Sequence, residues 1–390
     1  MKNLKEAAQD LLPQLVALRR QLHQCPELGS ELTHTRAIVR EYLQALGLSV
    51  QECAGGLIAE IAGGAGPVVL LRADMDALPM AEQSGLPFAA TGLAAHTCGH
   101  DMHTAMLLGA AHLLCQTGQN LRGTVRLLFQ PDEETAQGAR AMLQAGAGEN
   151  VNAAMGLHVA PGQPVGLLNC TVGEKTASYD RFVLTVKGIG GHGAMPHLAA
   201  DPIQVGARIC LACQELISAE CAPGSSAVIT VGSFHAGNSA NSIPESASLE
   251  GTIRAAQEAD RQYLCRRLKE IAEGIAGTFR TEAKLELVSG VPVLYNDPSI
   301  CDRLSNALRE VLGGETVDCT VQRLSASEDF ALFAQQIPSV YLTIGTGEAK
   351  DGYIYGNHHP AVRYHEDALA VGAAAYAVCA HTLLGTSQHY

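Results

Sequence analysis

The sequence predicts an α/β protein in which a smaller domain is inserted into a larger domain built on a parallel sheet. The chain has 390 residues, which exceeds one ordinary hydrophobic core and suits two domains. Strand and helix patterns alternate up to residue 176 and return near the C-terminus, whereas residues 177–289 follow another order. We therefore expect a discontinuous domain, 1–176 with 290–390, and an inserted domain, 177–289.

The larger domain is predicted from short apolar runs that alternate with longer amphipathic segments. Short apolar runs indicate buried strands, and an apolar period of about 3.6 residues indicates helices. The predicted strands are 57–61, 68–71, 125–129, 153–157 and 339–344. The predicted helices are 33–46, 101–115, 137–145 and an alanine-rich segment at 366–383. This alternation is typical of a three-layer αβα arrangement, with a parallel sheet between two layers of helices.

The inserted domain is predicted from a change in the order of its elements. The segments are strand 182–186, helix 202–218, strands 227–233 and 246–254, helix 257–279 and strand 283–288. This βαββαβ order is that of a ferredoxin-like domain. Because strands of the larger domain flank it on both sides, we interpret it as an insertion.

The composition excludes several classes of partner. Hydrophobic residues make up 47% of the chain and charged residues 17%, as in globular proteins. The 26 Lys+Arg against 39 Asp+Glu give a net charge of -13, which repels nucleic acids and anionic membrane surfaces. The N-terminus lacks the apolar core of a signal peptide, and no uncharged run approaches the length of a membrane span. We expect a soluble, cytoplasmic protein without nucleic-acid or membrane partners.

The strongest chemical signal lies in segment 96–103, which reads HTCGHDMH. Cys98 and His100 can face one metal ion because the glycine between them allows a tight turn, and thiolate and imidazole both bind zinc-like cations. Asp101 is suited to accept the spare N–H of a ligand imidazole. The structural alternative is a helix N-terminus with a buried cysteine and surface histidines.

Polar side chains follow two predicted strands and favour the metal site. Glu133 and Glu134 come after strand 125–129, and His158 comes directly after strand 153–157. Carboxyl ends of parallel strands meet at one edge of a sheet, where these side chains can converge with Cys98 and His100. One carboxylate would bind the metal, and its neighbour would take a proton from water. We assign Glu134 as ligand and Glu133 as general base.

Several segments, in their order along the chain, resemble a known family. They are RADMDALP (72–79), HTCGHD (96–101), FQPDEE (129–134), GLH (156–158), GGHGA (190–194), GTIR (251–254), SEDF (327–330) and HHP (358–360). Over nearly the whole chain they are similar to the M20 metallopeptidases, specifically the amidohydrolase branch with hippurate hydrolases and auxin-conjugate hydrolases.

The resemblance implies a ligand set and a fold. Two divalent ions, of Zn, Mn, Co or Ni, would be bridged by Cys98 and bound by His100, Glu134, His158 and His358. His359 competes with His358 for the last position. The resemblance also implies a zinc-peptidase-like catalytic domain and a ferredoxin-like domain that acts as a lid and mediates a homodimer or higher homo-oligomer.

The inserted domain contains the remaining candidate residues. Residues 188–193 match the dinucleotide fingerprint GxGxxG, but prolines delay the following helix, so we reject nucleotide binding. By the resemblance, this loop presents His192, which donates to the substrate carbonyl oxygen from its own subunit or across a dimer. Asn241 and Arg254 are candidates for binding a substrate carboxylate, although an asparagine turn and a solvated arginine explain them nearly as well.

The predicted activity is hydrolysis of the amide bond of N-acyl amino acids, with N-acetyl, N-benzoyl or longer acyl groups, to a carboxylic acid and a free amino acid. Dipeptidase or aminoacylase-type activity on short peptides is an alternative within the same chemistry. A cysteine amidase that uses Cys98 as nucleophile, and a non-catalytic protein that binds metal or acyl amino acids, are rivals of other kinds.

Overall fold

The computed structural model describes residues 4–117, 121–320, 323–324 and 326–385, and these residues form two compact units. The first unit comprises Met1–Lys175, Tyr295–Gln322 and Glu328–Tyr390. The second comprises Thr176–Leu294 and Arg323–Ser327. The prediction that the second unit acts as a lid and mediates dimers stays a prediction.

The described strands and α-helices are as follows, in chain order. The strands are β1 (Val50–Cys53), β2 (Gly56–Ala62), β3 (Val68–Asp74), β4 (Thr124–Gln130), β5 (Val151–Ala160), β6 (Leu168–Asn169), β7 (Gly173–Glu174), β8 (Tyr179–Lys187), β9 (Gly191–His192), β10 (Ala227–Ala236), β11 (Ser242–Ile243), β12 (Ser246–Ala255), β13 (Glu282–Val291), β14 (Tyr295–Asn296), β15 (Val317–Asp318) and β16 (Ser339–Gly345). The helices are α1 (Leu4–His23), α2 (Thr33–Ala45), α3 (His100–Thr117), α4 (Gly138–Gln144), α5 (Pro202–Glu215), α6 (Glu258–Thr278), α7 (Pro298–Leu312), α8 (Ala331–Ala334) and α9 (Ala368–Leu383).

The main sheet of the first unit has the order β1-β2-β4-β3-β5-β16-β6-β15. Its centre is parallel, as predicted, because β3 pairs in parallel with β4 and β5, and β5 with β16. Its margins are mixed: β1 and β2 form a hairpin, β2 runs antiparallel to β4, and β6 antiparallel to β16. The expected wholly parallel sheet therefore needs this correction, and the α/β class is confirmed. The short loop between β1 and β2 forces their antiparallel pairing.

Helices cover the faces of the main sheet, and the candidate site residues lie at one of its edges. The largest core cluster joins α1, α3, α7 and α9 to alternate residues of the central strands, such as Val69 and Leu71. Helix α9 is buried along nearly its whole length because its alanines allow close packing. The carboxyl ends of β3, β4 and β5 meet at one edge because these strands are parallel.

The second unit contains a four-stranded antiparallel sheet in the order β10-β12-β8-β13. Helices α5 and α6 pack on it around a core that includes Phe182, Leu249 and Leu268. Along the chain the order is β8-α5-β10-β12-α6-β13, which is the βαββαβ order that the sequence predicted. A small hairpin-like pair, β9 with β11, extends beyond this sheet.

Among the described residues, no helix combines the length and the apolar character that crossing a bilayer requires. The location of the protein in the cytoplasm stays a prediction.

Candidate metal centre

The thiol of Cys98 lies among four other side chains with metal-binding atoms. Its Sγ is 3.4 Å from Nε2 of His158 and 3.3 Å from Nε2 of His358. Two triads of ligand atoms, each within 4.8 Å of one another, share this residue: Cys98 with His100 and His158, and Cys98 with Glu134 and His358. The structure thus brings together all five residues that the sequence analysis selected, with the cysteine common to both triads.

The main chain around Cys98 is shaped by Gly99. This glycine has a φ of 87°, and a Cβ on it would lie 2.4 Å from Cγ2 of Val159. A side chain at this position would therefore meet both backbone strain and a clash. Helix α3 begins at the next residue, His100, whose side chain is fully buried. The tight turn that the sequence predicted is thus present.

The two neighbouring histidines, His358 and His359, differ in their contacts. Besides its contact with Cys98, His358 has Nε2 3.5 Å from Oε1 of Glu134. Its φ of 67° is unusual for a residue with a side chain, and its N–H donates to Thr97 O at 2.8 Å. His359 instead stacks on Tyr355, with ring centroids 3.9 Å apart. The structure therefore places His358, and not His359, among the ligand candidates.

Tyr364 and Asn357, which the sequence did not indicate, hold the loop that carries His358 in place. The hydroxyl of Tyr364 donates to Thr97 O at 2.8 Å and lies 3.1 Å from Oδ1 of Asn357. Thr97 O therefore joins the loop before His358 to the segment that carries Cys98. No local pattern in the sequence links residues so far apart, and only the fold reveals the contact.

The carboxylate that supports the centre is Asp76, not Asp101. Asp76 accepts hydrogen bonds from the backbone N–H of Glu133 at 3.1 Å and of Glu134 at 3.2 Å. Its Oδ1 also lies 3.4 Å from Nδ1 of His100. One buried carboxylate thus orients a ligand loop and faces a ligand imidazole. Asp76 follows β3 at the same sheet edge, and this position in the sequence could have indicated its role.

The predicted role of Asp101 is wrong. Its Oδ2 lies 2.6 Å from Nε of Arg19 and 2.8 Å from Nδ1 of His23, both on α1. This carboxylate is therefore neutralised by the first helix and does not contact a ligand imidazole. Burial would raise the pKa of Asp101, but Arg19 and His23, with the nearby His96, hold it far below its ordinary value.

His103 is close to the centre but is not available as a ligand. Its Nδ1 lies 2.6 Å from Oδ1 of Asp74, and its Nε2 accepts the backbone N–H of Val159 at 2.9 Å. Both ring nitrogens are therefore engaged, with the proton on Nδ1. Asp74 is held in turn by Arg72 at 2.7 Å. These residues form a buried support beneath the ligands.

Glu133 lies beside a second group of carboxylates. Its carboxylate and those of Glu328 and Asp329 lie within 4.8 Å of one another. Burial, with Glu328 and Asp329, raises the pKa of Glu133, while His100 acts in the opposite direction. Burial likewise raises the pKa of Asp329 to about 8 against the effect of Arg72. A carboxylate with a raised pKa is a better proton acceptor, as a general base requires.

The unsatisfied atoms of this cluster fit divalent cations. Within the described part of the chain, neither ring nitrogen of His100 nor Oε1 of Glu134 has a hydrogen-bond partner, although all are buried. Unpaired buried polar atoms are costly, and a metal ion would satisfy Nε2 of His100 and Oε1 of Glu134, while Nδ1 of His100 faces Asp76. Burial raises the pKa of the Cys98 thiol, so a thiolate here requires a nearby cation. The set of thiol, imidazole and carboxylate donors suits zinc-like ions.

Comparison with known proteins identifies the family. The model of Peptidase family M20/M25/M40 matches residues 70–382. The chain belongs to the M20 peptidase family. An N-acetylcysteine deacetylase of Bacillus subtilis is 38% identical and covers 95% of this chain and 97% of its own. An IAA-amino acid hydrolase of Arabidopsis thaliana is 36% identical, with coverages of 93% and 83%.

A solved structure extends this comparison to the metal content. It is that of a Bacillus subtilis protein described as a dinuclear metal binding peptidase of the M20 family. It is 35% identical to this chain, with a TM-score of 0.83 and coverages of 97% and 100%. The chain is thus a hydrolase of the M20 type, and this likeness supports two divalent ions, whose identity stays open.

In this M20 protein, His192 and Asn241 are neighbours in the second unit. His192 on β9 pairs with Ser242 on β11, and Asn241 O accepts the N–H of Gly193 at 2.9 Å. Both side chains are exposed. The glycines form this pair of short strands, and α5 begins only at Pro202 after a 3-10 turn, so no helix opens at the glycines as dinucleotide binding requires.

Arg254 lies elsewhere in the second unit. The β9 and β11 pair extends beyond the end of the sheet where Ser246 pairs with Lys187. Arg254 is near the opposite end of β12, roughly 26 Å along the strand at about 3.3 Å per residue. Its guanidinium packs over the ring of Tyr179, 4.8 Å from the centroid. The structure therefore does not bring the two predicted carboxylate-binding residues, Asn241 and Arg254, together within the unit.

Proposed function

We propose that this chain hydrolyses the amide bond of N-acyl amino acids, with N-acetyl, N-benzoyl or longer acyl groups, and releases a carboxylic acid and a free amino acid. The observation that carries the proposal is the shared position of Cys98 in two triads of ligand atoms, with Glu133 beside them. Relatives named as an N-acetylcysteine deacetylase and an IAA-amino acid hydrolase support the substrate class.

The proposed ligands and the base have distinct tasks. Cys98, His100, Glu134, His158 and His358 would hold two divalent cations. When bound, such cations make water more acidic and polarise an amide carbonyl. Glu133 takes the proton of the attacking water on its carboxylate and delivers it to the nitrogen of the leaving amine, so the residue ends each turnover unchanged. Asp76 keeps Glu133 and Glu134 in place through their backbone N–H groups.

Residues of the second unit are proposed to bind the substrate. His192 donates a hydrogen bond to the carbonyl oxygen as negative charge develops there. Either Asn241 or Arg254 binds the free carboxylate. One unit does not provide both to a single carboxylate, because Asn241 adjoins β11 and Arg254 lies near the opposite end of β12. We propose that the active form is a homo-oligomer.

A substrate screen tests this function. The protein is loaded separately with Zn, Mn, Co and Ni, and each sample is assayed with N-acetyl, N-benzoyl and longer N-acyl amino acids by release of free amine. At least one acyl class should be hydrolysed, and EDTA should remove the activity. Metal-loaded protein that binds these compounds without releasing amine would instead support a non-catalytic role and contradict the proposal.

Two competing activities are separated by the same assay. The word peptidase in the description of the dinuclear relative favours activity on short peptides as a second candidate, and dipeptides with free amino groups test it. A cysteine amidase with Cys98 as nucleophile would keep its activity in EDTA and lose it on alkylation. Inactivation by EDTA, with recovery on adding metal back, excludes that chemistry.

A further inference from the structure

An exposed pair of aromatic rings lies next to the proposed ligand His358. The rings of Tyr355 and His359 are nearly parallel, with an interplanar angle of 6° and centroids 3.9 Å apart. Tyr355 is 39% exposed, and its neighbour Ile354 is 62% exposed. We call the pair of Tyr355 and His359 the aromatic shelf. The metal centre does not use it, because neither residue contributes to the two triads that contain Cys98.

The aromatic shelf is held in place on both sides. Nδ1 of His359 accepts the backbone N–H of Ala361 at 3.1 Å, which fixes the orientation of the imidazole. The N–H of Gln83 donates to Pro360 O at 2.8 Å, and the N–H of His358 donates to Thr97 O at the same distance. The loop is thus bound to two other segments of the first unit. A rigid aromatic surface of this kind loses little conformational entropy when a ligand binds.

Its position and chemistry indicate what it binds. His359 directly follows the proposed ligand His358, and consecutive Cα atoms are about 3.8 Å apart, so the aromatic shelf begins on the main chain next to a proposed ligand. The faces of aromatic rings carry partial negative charge and favour other planar or apolar groups over carboxylates. An N-acyl amino acid has a charged carboxylate at one end and an uncharged acyl group at the other. The aromatic shelf suits the acyl end.

We propose that the aromatic shelf is the acyl-group subsite, and that it makes the enzyme favour planar aromatic acyl groups over acetyl. This inference rests on the proposed function, because it assigns one end of the proposed substrate. It makes Tyr355 a residue that determines specificity, without a part in proton transfer or in metal binding.

The test compares two acyl groups on the same amino acid. The quantity measured is kcat/KM for the N-benzoyl substrate divided by kcat/KM for the N-acetyl substrate. Tyr355→Leu keeps an apolar side chain but removes the ring, and it should lower this ratio roughly two- to tenfold, the value of one aromatic stacking contact. Tyr355→Phe keeps the ring and should preserve the ratio.

The matched control is Tyr295→Leu, which removes another exposed tyrosine of the first unit. It should leave the ratio unchanged, and all variants should keep the wild-type melting temperature because the substituted side chains are exposed. An unchanged ratio in Tyr355→Leu overturns the proposal. An equal fall for both substrates also overturns it, because it would indicate a general effect on the loop.

A binding measurement separates this proposal from the proposed function. If the wild-type enzyme hydrolyses neither substrate, the proposed function fails, and benzoate binding to the metal-loaded protein is measured by ligand-observed NMR. Benzoate should then bind more weakly to Tyr355→Leu than to wild type and Tyr355→Phe, by a similar factor. Equal binding to all three proteins overturns the subsite.

Discussion

The metal centre of the first unit and the predicted substrate residues of the second unit are held in different ways. Cys98 contacts His358, 260 residues away, and Asp76 contacts the loop of Glu133 and Glu134. By contrast, Nδ1 of His192 accepts from Ala194 N, two residues on. Oδ1 of Asn241 likewise accepts from Ser239, two residues back.

This difference in contact range predicts a difference in tolerance. The metal centre is built from side chains on several converging elements, so its geometry is fixed before substrate binds. Each of these side chains has its own task, so no neighbouring residue replaces one that is substituted. The exposed residues are supported by local turns and are free to adjust. Changes in the first unit should therefore affect chemistry and metal binding, and changes in the second unit should affect substrate affinity.

The largest effect is expected at Glu133. Glu133→Gln keeps the shape of the side chain but removes the proton acceptor, and kcat should fall roughly 10²–10⁴-fold. Metal content, measured by plasma mass spectrometry, should stay at the wild-type value, because this residue is not a proposed ligand. Glu41→Gln, on the exposed surface of α2, is the matched control. Retained turnover in Glu133→Gln would remove this residue from the role of base.

The stability of the fold should depend on pH where His23 of α1 contacts Asp101 at the start of α3. Burial alone would lower the pKa of His23, but Asp101 and Glu82 raise it to about 9 despite the opposing charge of Arg19. The charged imidazole therefore stabilises the fold below the unfolded-state pKa of 6.5, and this contribution is lost as pH rises through about 9.

The variant His23→Gln measures this contribution. Its free energy of unfolding should lie below that of wild type by at most about 3 kcal/mol near pH 6, and the difference should shrink above pH 9. Chemical denaturation across this pH range provides the measurement. A difference that does not change with pH would show that the contact between His23 and Asp101 does not depend on a charged imidazole.

A smaller effect is expected at Asp76. In Asp76→Asn, one oxygen that accepts a backbone N–H becomes an amide nitrogen, so the loop of Glu133 and Glu134 loses part of its support. Metal affinity, from competition with a chelator, should fall roughly 10–100-fold while the fold remains. Asp10→Asn, an exposed position on α1, is the control. Equal metal affinity in both variants would contradict the support that we assign to Asp76.

The smallest effect is expected in the second unit. Of Asn241→Ala and Arg254→Ala, only one should raise KM, by roughly tenfold, with little change in kcat. Asn241 adjoins β11 and Arg254 lies near the opposite end of β12, so one carboxylate cannot reach both within the unit. Steady-state kinetics on an N-acyl amino acid and on its amide, which lacks the free carboxylate, identify the residue. If both variants lose affinity for the acid alone, a second subunit must complete the subsite.

The features of the site and the fold that the sequence could predict are those encoded in local segments. Cys98 and His100 share one short segment, and Glu134 and His158 follow strands that the apolar pattern reveals. Parallel pairing then brings strand ends together, so the convergence of these residues followed from a general rule of α/β sheets. The βαββαβ order was predictable for the same reason, because each of its elements has its own pattern.

The parts that sequence could not predict depend on long-range contacts. Asp101 was assigned to a ligand because it adjoins one, but α1 places Arg19 and His23 against it. The sequence favoured His358 but left His359 open, and the contact of His358 with Thr97, far earlier in the chain, is a long-range one. The antiparallel margins of the sheet were missed because a strand pattern gives no direction of pairing.

The central claim is that Cys98 is common to two metal sites, and anomalous scattering from crystals of the metal-loaded protein tests it most directly. Two ions per chain are expected, about 3.5–4 Å apart, both bound to Sγ of Cys98. His100 and His158 should bind one ion, and Glu134 and His358 the other. A single ion, or two ions that Cys98 does not bridge, would contradict the account.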